Sequence, residues 1–144
     1  MARTRRGRPR STTPNPEIPT EAQEQRALVR WIRFQPEIIE DIIKLNNEGK
    51  RTEAQGFNLK MLGMCVGASD LFLAYPAHGK CGLWIEMKKN KKYTKCDRET
   101  STWIAQEKFI ERRRARGYAA HMVFGWEHGK NVIEAYLEGR DELL

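Results

Sequence analysis

Long hydrophobic runs, paired cysteines and internal repeats are all missing from this sequence, and each absence removes a class of protein. No apolar stretch in the 144 residues approaches the length of a bilayer span. The basic start is not followed by an apolar segment of the kind a signal peptide carries, so no such peptide is expected. The three cysteines, Cys65, Cys81 and Cys96, are odd in number and have neither CxxC spacing nor an accompanying His motif. That pattern argues against a zinc site and for a reducing compartment, the cytoplasm, with the thiols as small core or loop residues. Hydrophobic content is ordinary, and the length suits one domain with a proper core.

Acidic residues are absent from the start of the chain. Of the formal charge of +7, five units come from Arg3, Arg5, Arg6, Arg8 and Arg10, before the first acid, Glu17, which leaves +2 for the remainder. Four of the six prolines, Pro9, Pro14, Pro16 and Pro19, lie in the same stretch. With no apolar period, residues 1–19 read as a disordered basic tail and residues 20–144 as the folded domain. Arg6-Gly7-Arg8-Pro9 matches the short core of AT-hook peptides, which enter the minor groove of A·T-rich DNA; a plain basic tail is the competing reading. Both bind phosphate, so nucleic acid is the expected partner.

The folded part alternates helix and strand. Thr20 and Gln23 form a capping box ahead of a helix to Phe34, with Leu28, Val29, Trp31 and Ile32 as its apolar stripe. Glu21 and Gln25 fall on its buried side. Glu21 either favours the helix dipole or reaches into a metal site, and spacing leaves both readings open. Residues 36–45 suit helix or strand. A short helix ends at Gly63, and two apolar runs, 70–75 and 82–88, form a hairpin. Residues 90–100 read as a Lys-rich loop, 101–116 as a helix ended by Gly117, 118–124 as a strand and 127–137 as a closing helix. Together these give an α/β fold with a small central mixed sheet flanked by helices.

The densest chemistry lies in GASDLFLAYPAHGKCGLWIEMK, Gly67 to Lys88. Folding its two apolar runs about the turn from Pro76 to Gly79 sets Asp70 opposite Met87. Glu86 and Lys88, two apart, share one face of their strand. Two carboxylates and an ammonium at one end of an apolar hairpin are costly unless a cation or phosphate binds there. Asp70 and Glu86 offer hard oxygen ligands for Mg²⁺ or Mn²⁺, and the Met87 backbone carbonyl can complete the set. Lys88 is suited to orient a water and stabilise a pentavalent phosphate. A surface Glu–Lys pair is the alternative, but Leu83, Trp84, Ile85 and Met87 mark the strand as buried. Further on, Gln106 sits within the apolar stripe of Trp103, Phe109 and Ile110, where it either bonds backbone or orients Lys88. Lys50, Arg51, Lys60 and Arg113 are the candidate DNA contacts of the folded part, beside Arg6 and Arg8 of the tail.

The series G-x-x-D, E-x-K and a downstream Gln resembles the PD-(D/E)XK nuclease superfamily, and more narrowly the small stand-alone VRR-NUC proteins of phages and bacteria. The resemblance extends over Glu21 to Gln25 (E-x-Q-E-Q), Asn47-Glu48-Gly49-Lys50-Arg51, Leu59-Lys60-x-x-Gly63-Met64, Gly82 to Lys88, and Gly117-Tyr118. It implies a restriction-endonuclease-like fold, catalytic roles for Asp70, Glu86 and Lys88 with Gln106 in support, and Glu21 as a further metal ligand, with Glu24 a weaker candidate. It also implies a Mg²⁺-dependent endonuclease, homodimeric, acting on branched DNA such as four-way junctions in a bacterial or phage-infected cell, close to the nucleoid. A nicking or restriction-like nuclease on linear duplex and a non-catalytic basic DNA-binding protein are the rival readings. Two departures from the pattern stand out. Ser69 replaces the Pro that often precedes the Asp, and Trp103 stands where a Ser usually lies three residues before the Gln, after a lengthened loop.

Overall fold

Local capping chemistry starts several of the helices. In this computed structural model, which describes residues 17–45 and 51–140, α1 (Glu21–Ile32) begins with the expected box. The Gln23 N–H donates to the Thr20 hydroxyl, and the Thr20 N–H donates to the Gln23 side chain. The same Thr-x-x-Gln device, Thr52 with Gln55, opens α2 (Glu53–Met61), and Gly63 ends it at φ +94°. Helix α4 (Ser101–Ala115) is capped by Thr100, and α5 (Trp126–Glu138) closes the chain on the left-handed Gly139. The 90–100 stretch is not all loop. Thr94 and Asp97 form a capping box for the one-turn helix α3 (Lys95–Arg98).

Four strands form one mixed sheet in the order β1-β2-β3-β4, the α/β architecture expected: β1 (Ile42–Lys44), β2 (Leu71–Leu73), β3 (Leu83–Lys88) and β4 (Ala119–Phe124). The first two pairings are antiparallel, and β3 runs parallel to β4. A parallel pair needs a crossover, which α3 and α4 supply. Within the ambiguous 36–45 segment, residues 36–41 are turns, and the strand reading holds only for Ile42–Lys44.

The alternation of β3 divides its residues between two helical layers. Leu83, Ile85 and Met87 are fully buried in a core with Leu28 and Ile32 of α1 and with Val132, Ile133 and Tyr136 of α5. Trp84, Glu86 and Lys88 take the other face, where the Trp84 ring meets Phe109 of α4 edge-on and stacks on Phe72 of β2. Among the described residues no helix is long and apolar enough to cross a membrane. Residues 1–16 of the basic tail, with Arg6 and Arg8, and Lys50 lie outside the described residues.

The hairpin register differs by one residue from the expectation. Leu71 pairs with Ile85 and Leu73 with Leu83, so continuing the ladder sets Asp70 against Glu86 rather than Met87. The apex bridge Ala77–Lys80 leaves Ala74, Tyr75 and Pro76 facing only Cys81 and Gly82. Pro76 has no N–H to give the ladder, and the Cys81 N–H goes instead to the Gly117 carbonyl at 2.9 Å. Directly opposed residues share a face, so this slip is what sets Asp70 on the side of Glu86 and Lys88.

Candidate active site

Glu86 and Lys88 are 2 % and 7 % exposed, which makes them buried charges that need partners. They have each other, Lys88 Nζ lying 3.4 Å from Glu86 Oε1. Helix α4 adds Gln106, three residues from both Trp103 and Phe109 and so on the same helical face. Its amide oxygen accepts from Lys88 Nζ at 2.8 Å, and its amide nitrogen donates to Glu86 Oε1. An amide has one accepting and one donating end, so Gln106 suits an ammonium and a carboxylate side by side. Gln106 is thus bonded to the Lys88 and Glu86 side chains rather than to backbone. Trp103 has a use as well: Lys88 Nζ lies 5.2 Å from the centre of its ring, within cation–π range.

The acidic half of the site is under strain of its own making. Burial first, and then the neighbouring Asp70, push the Glu86 carboxyl up to about 8, against the pull of Lys88; Glu21 adds to the push. Glu86 Oε2 is buried with no hydrogen-bond partner. Asp70 is anchored differently, its Oδ2 accepting from the Met87 N–H at 2.7 Å. Both carboxylates line a cavity of about 310 Å³ with Glu21 of α1, Thr102 and Gln106 of α4, and the loop 64–68. That loop is seated by Gly67, at φ +78°, where a Cβ would stand 2.5 Å from the Ala105 carbonyl oxygen.

Glu21 is half-buried on the wall of this cavity. Among the described residues no three His, Cys, Asp or Glu side chains are gathered closely enough to hold a metal ion. The donors nonetheless fit a hard divalent cation: two carboxylates share the cavity, one with a buried orphan oxygen whose charge is unfavourable until a cation neutralises it. Glu24 does something else. It is buried, and its Oε2 accepts from the Trp126 N–H at 2.9 Å, capping α5 where the N-cap, Gly125, has no side chain to offer. A helix opening on glycine is the sequence signal for a borrowed cap, but it does not say which residue lends it.

The candidate DNA contacts divide. Lys60 is exposed on α2, while the Arg51 guanidinium donates to Met64 Sδ beside the cavity loop. Arg113 is half-buried, its guanidinium 4.6 Å from the Phe109 ring centre and 5.5 Å from that of Trp84, where it covers the aromatic layer under α4.

Among solved structures, the chain is similar to one described as a VRR_NUC domain protein. The two are 24% identical with a TM-score of 0.68, over 85% of this chain and 91% of that one. No family model matches the chain, and no curated protein matches it.

Proposed function

From a chain that has the fold of a VRR_NUC domain protein, we propose a metal-dependent DNA endonuclease that hydrolyses phosphodiester bonds. The observation that carries this reading is the Glu86–Gln106–Lys88 chain beside Asp70, with a buried carboxylate oxygen left unpartnered. Asp70, Glu86 and the Met87 carbonyl would hold the cation, Mg²⁺ or Mn²⁺, with Glu21 as a further ligand. A divalent cation in such a site neutralises charge on the phosphate and lowers the pKa of a water. The chain's own residues do the rest. Lys88 stabilises the charge that develops on the phosphate, and Gln106 holds its ammonium in place. Asp70, tied to the Met87 N–H, fixes the end of β3 against β2.

The substrate proposed is branched DNA such as a four-way junction, cut by a homodimer whose two-fold axis matches paired incisions. Exposed Phe57 and Met61 of α2, a helix that buries none of its residues, and its C-cap Leu62 are a surface suited to such a pairing. The test compares cleavage of junction, flap, splayed and linear DNA with Mg²⁺, Mn²⁺ and EDTA, beside light scattering for oligomeric state. Expected is EDTA-sensitive cutting that Asp70→Ala abolishes while DNA binding persists. Substantial Mg²⁺-dependent cutting by purified Asp70→Ala protein would overturn the assignment, and a preference for linear duplex would replace the junction with a nicking or restriction-like role.

A further inference from the structure

Outside the cavity, α1 carries a second feature that the catalytic reading does not use. Arg26, Arg30 and Arg33 stand at i, i+4 and i+7 and therefore share one helical face. All three are exposed, and among the described residues none has an ion-pair partner. Other surface cations do pair: Lys95 with Glu99, Lys130 with Glu134 and Arg140 with Glu138. The three arginines line a groove of about 500 Å³ with Gln25 and Val29, and Lys44 of the edge strand β1 also lines it. Like charges four apart weaken an isolated helix, so an uninterrupted row has a cost that an anion would remove.

We infer that this row is a track for the sugar–phosphate backbone of DNA, leading away from the active cavity. Position and spacing both support it. Gln25 lines the groove and Glu21 lines the cavity, one helical turn apart on the same helix. From Arg26 to Arg33 the helix rises about 10 Å, the axial length of about three phosphates of one strand. Guanidinium groups match phosphate oxygens two at a time. Contacts of this kind set the register of the duplex and carry no base information. The inference takes its ligand from the nuclease reading, but it concerns binding and is tested without turnover.

The experiment measures binding of labelled duplex to the full chain in EDTA, across a salt series, for wild type and for the triple variant Arg26→Gln/Arg30→Gln/Arg33→Gln. Each lost phosphate contact flattens the slope of log K against log salt by about 0.9, so the expected change is about 2 to 3, equal on A·T-rich and G·C-rich duplex. The corresponding triple Arg→Lys variant keeps the charge and should retain most of the slope, which separates lost contacts from lost fold. A control triple, Lys80→Gln/Lys95→Gln/Arg140→Gln, should change the slope by less than 1. A Gln triple with the wild-type slope overturns the inference, as does a control triple with an equal loss, or a wild-type protein that does not bind DNA. Wild-type protein that binds in EDTA yet cuts with neither Mg²⁺ nor Mn²⁺ would remove the nuclease reading and leave a flattened slope as support for the track.

Discussion

Lys88 is held by Gln106 and Glu86 and lies over the Trp103 ring, so its ammonium is oriented before any substrate arrives. An oriented charge costs no reorganisation as negative charge grows on a phosphate, and removing one such donor typically costs about 3 kcal/mol of the barrier. Lys88→Ala should therefore lower the single-turnover rate at saturating DNA roughly a hundredfold or more while divalent-cation binding is retained. A near wild-type rate would reduce Lys88 to a partner of Glu86. Glu21 is a sharper case, because its half-buried place on the cavity wall fits both a dipole role and a ligand role. As a dipole partner its loss costs at most about 1 kcal/mol of stability and spares the rate. As a ligand, its replacement in Glu21→Gln leaves melting close to wild type, cuts the rate severely and raises the Mg²⁺ concentration needed for half-maximal cleavage. The ligand role is the expected outcome, and an unchanged Mg²⁺ titration would exclude it.

Gly67 shows how the elements around the site constrain one another. At φ +78° it takes a conformation that costs an alanine about 1 to 2 kcal/mol, and its added Cβ would meet the Ala105 carbonyl at 2.5 Å. Ala105 immediately precedes Gln106, so the loop 64–68 and α4 are pressed together beside the residue that orients Lys88. Gly67→Ala should lower the melting temperature and lower activity together. Gly56→Ala, whose Cβ meets nothing within 4 Å, should do neither. Contacts local in sequence are the legible ones: the Thr20–Gln23 box, the Gly63 and Gly117 stops, and the two-residue spacing of Glu86 and Lys88 all follow from neighbouring residues. The Thr94–Asp97 box of α3 is equally local, though hidden in a Lys-rich stretch. The hairpin register is not local, since it depends on Cys81 bonding Gly117 rather than its own hairpin partner. Nor is the place of Glu24, whose bond to Trp126 spans 102 positions. The helical period sets Glu21, not Glu24, on the inner side, and only the packing of α5 against α1 shows what Glu24 does.

For the molecule as a whole, acid and salt act on different parts. Burial, then Arg114, then His128 push the His121 imidazole down to about 4 from 6.5. The His128 ring, also lowered by burial, accepts the Phe124 N–H on Nδ1 and must be unprotonated there. A base with a depressed folded pKa binds fewer protons folded than unfolded, so its contribution to stability is present above the unfolded value and lost as pH falls through this window. The melting temperature of wild type relative to His121→Gln should therefore fall between pH 6.5 and 4, as a calorimetric pH series will show; a constant difference would mean that His121 titrates normally. Salt is expected to act through arginines, those of the tail beside those of the α1 row. Residues 1–19 carry five of them, and their deletion should flatten the salt slope of DNA binding by up to roughly 4 to 5. Turnover at saturating DNA should persist, because the cavity is built from α1, α4, the loop 64–68 and the hairpin. The tail and the α1 row are separate sets of arginines, so their slope losses should add. An AT-hook role for Arg6 to Pro9 demands more, a larger loss of affinity on A·T-rich than on G·C-rich duplex, whereas equal losses would leave a plain basic tail. A folded but inactive truncation would move the domain boundary into the first 19 residues and make the tail part of the enzyme.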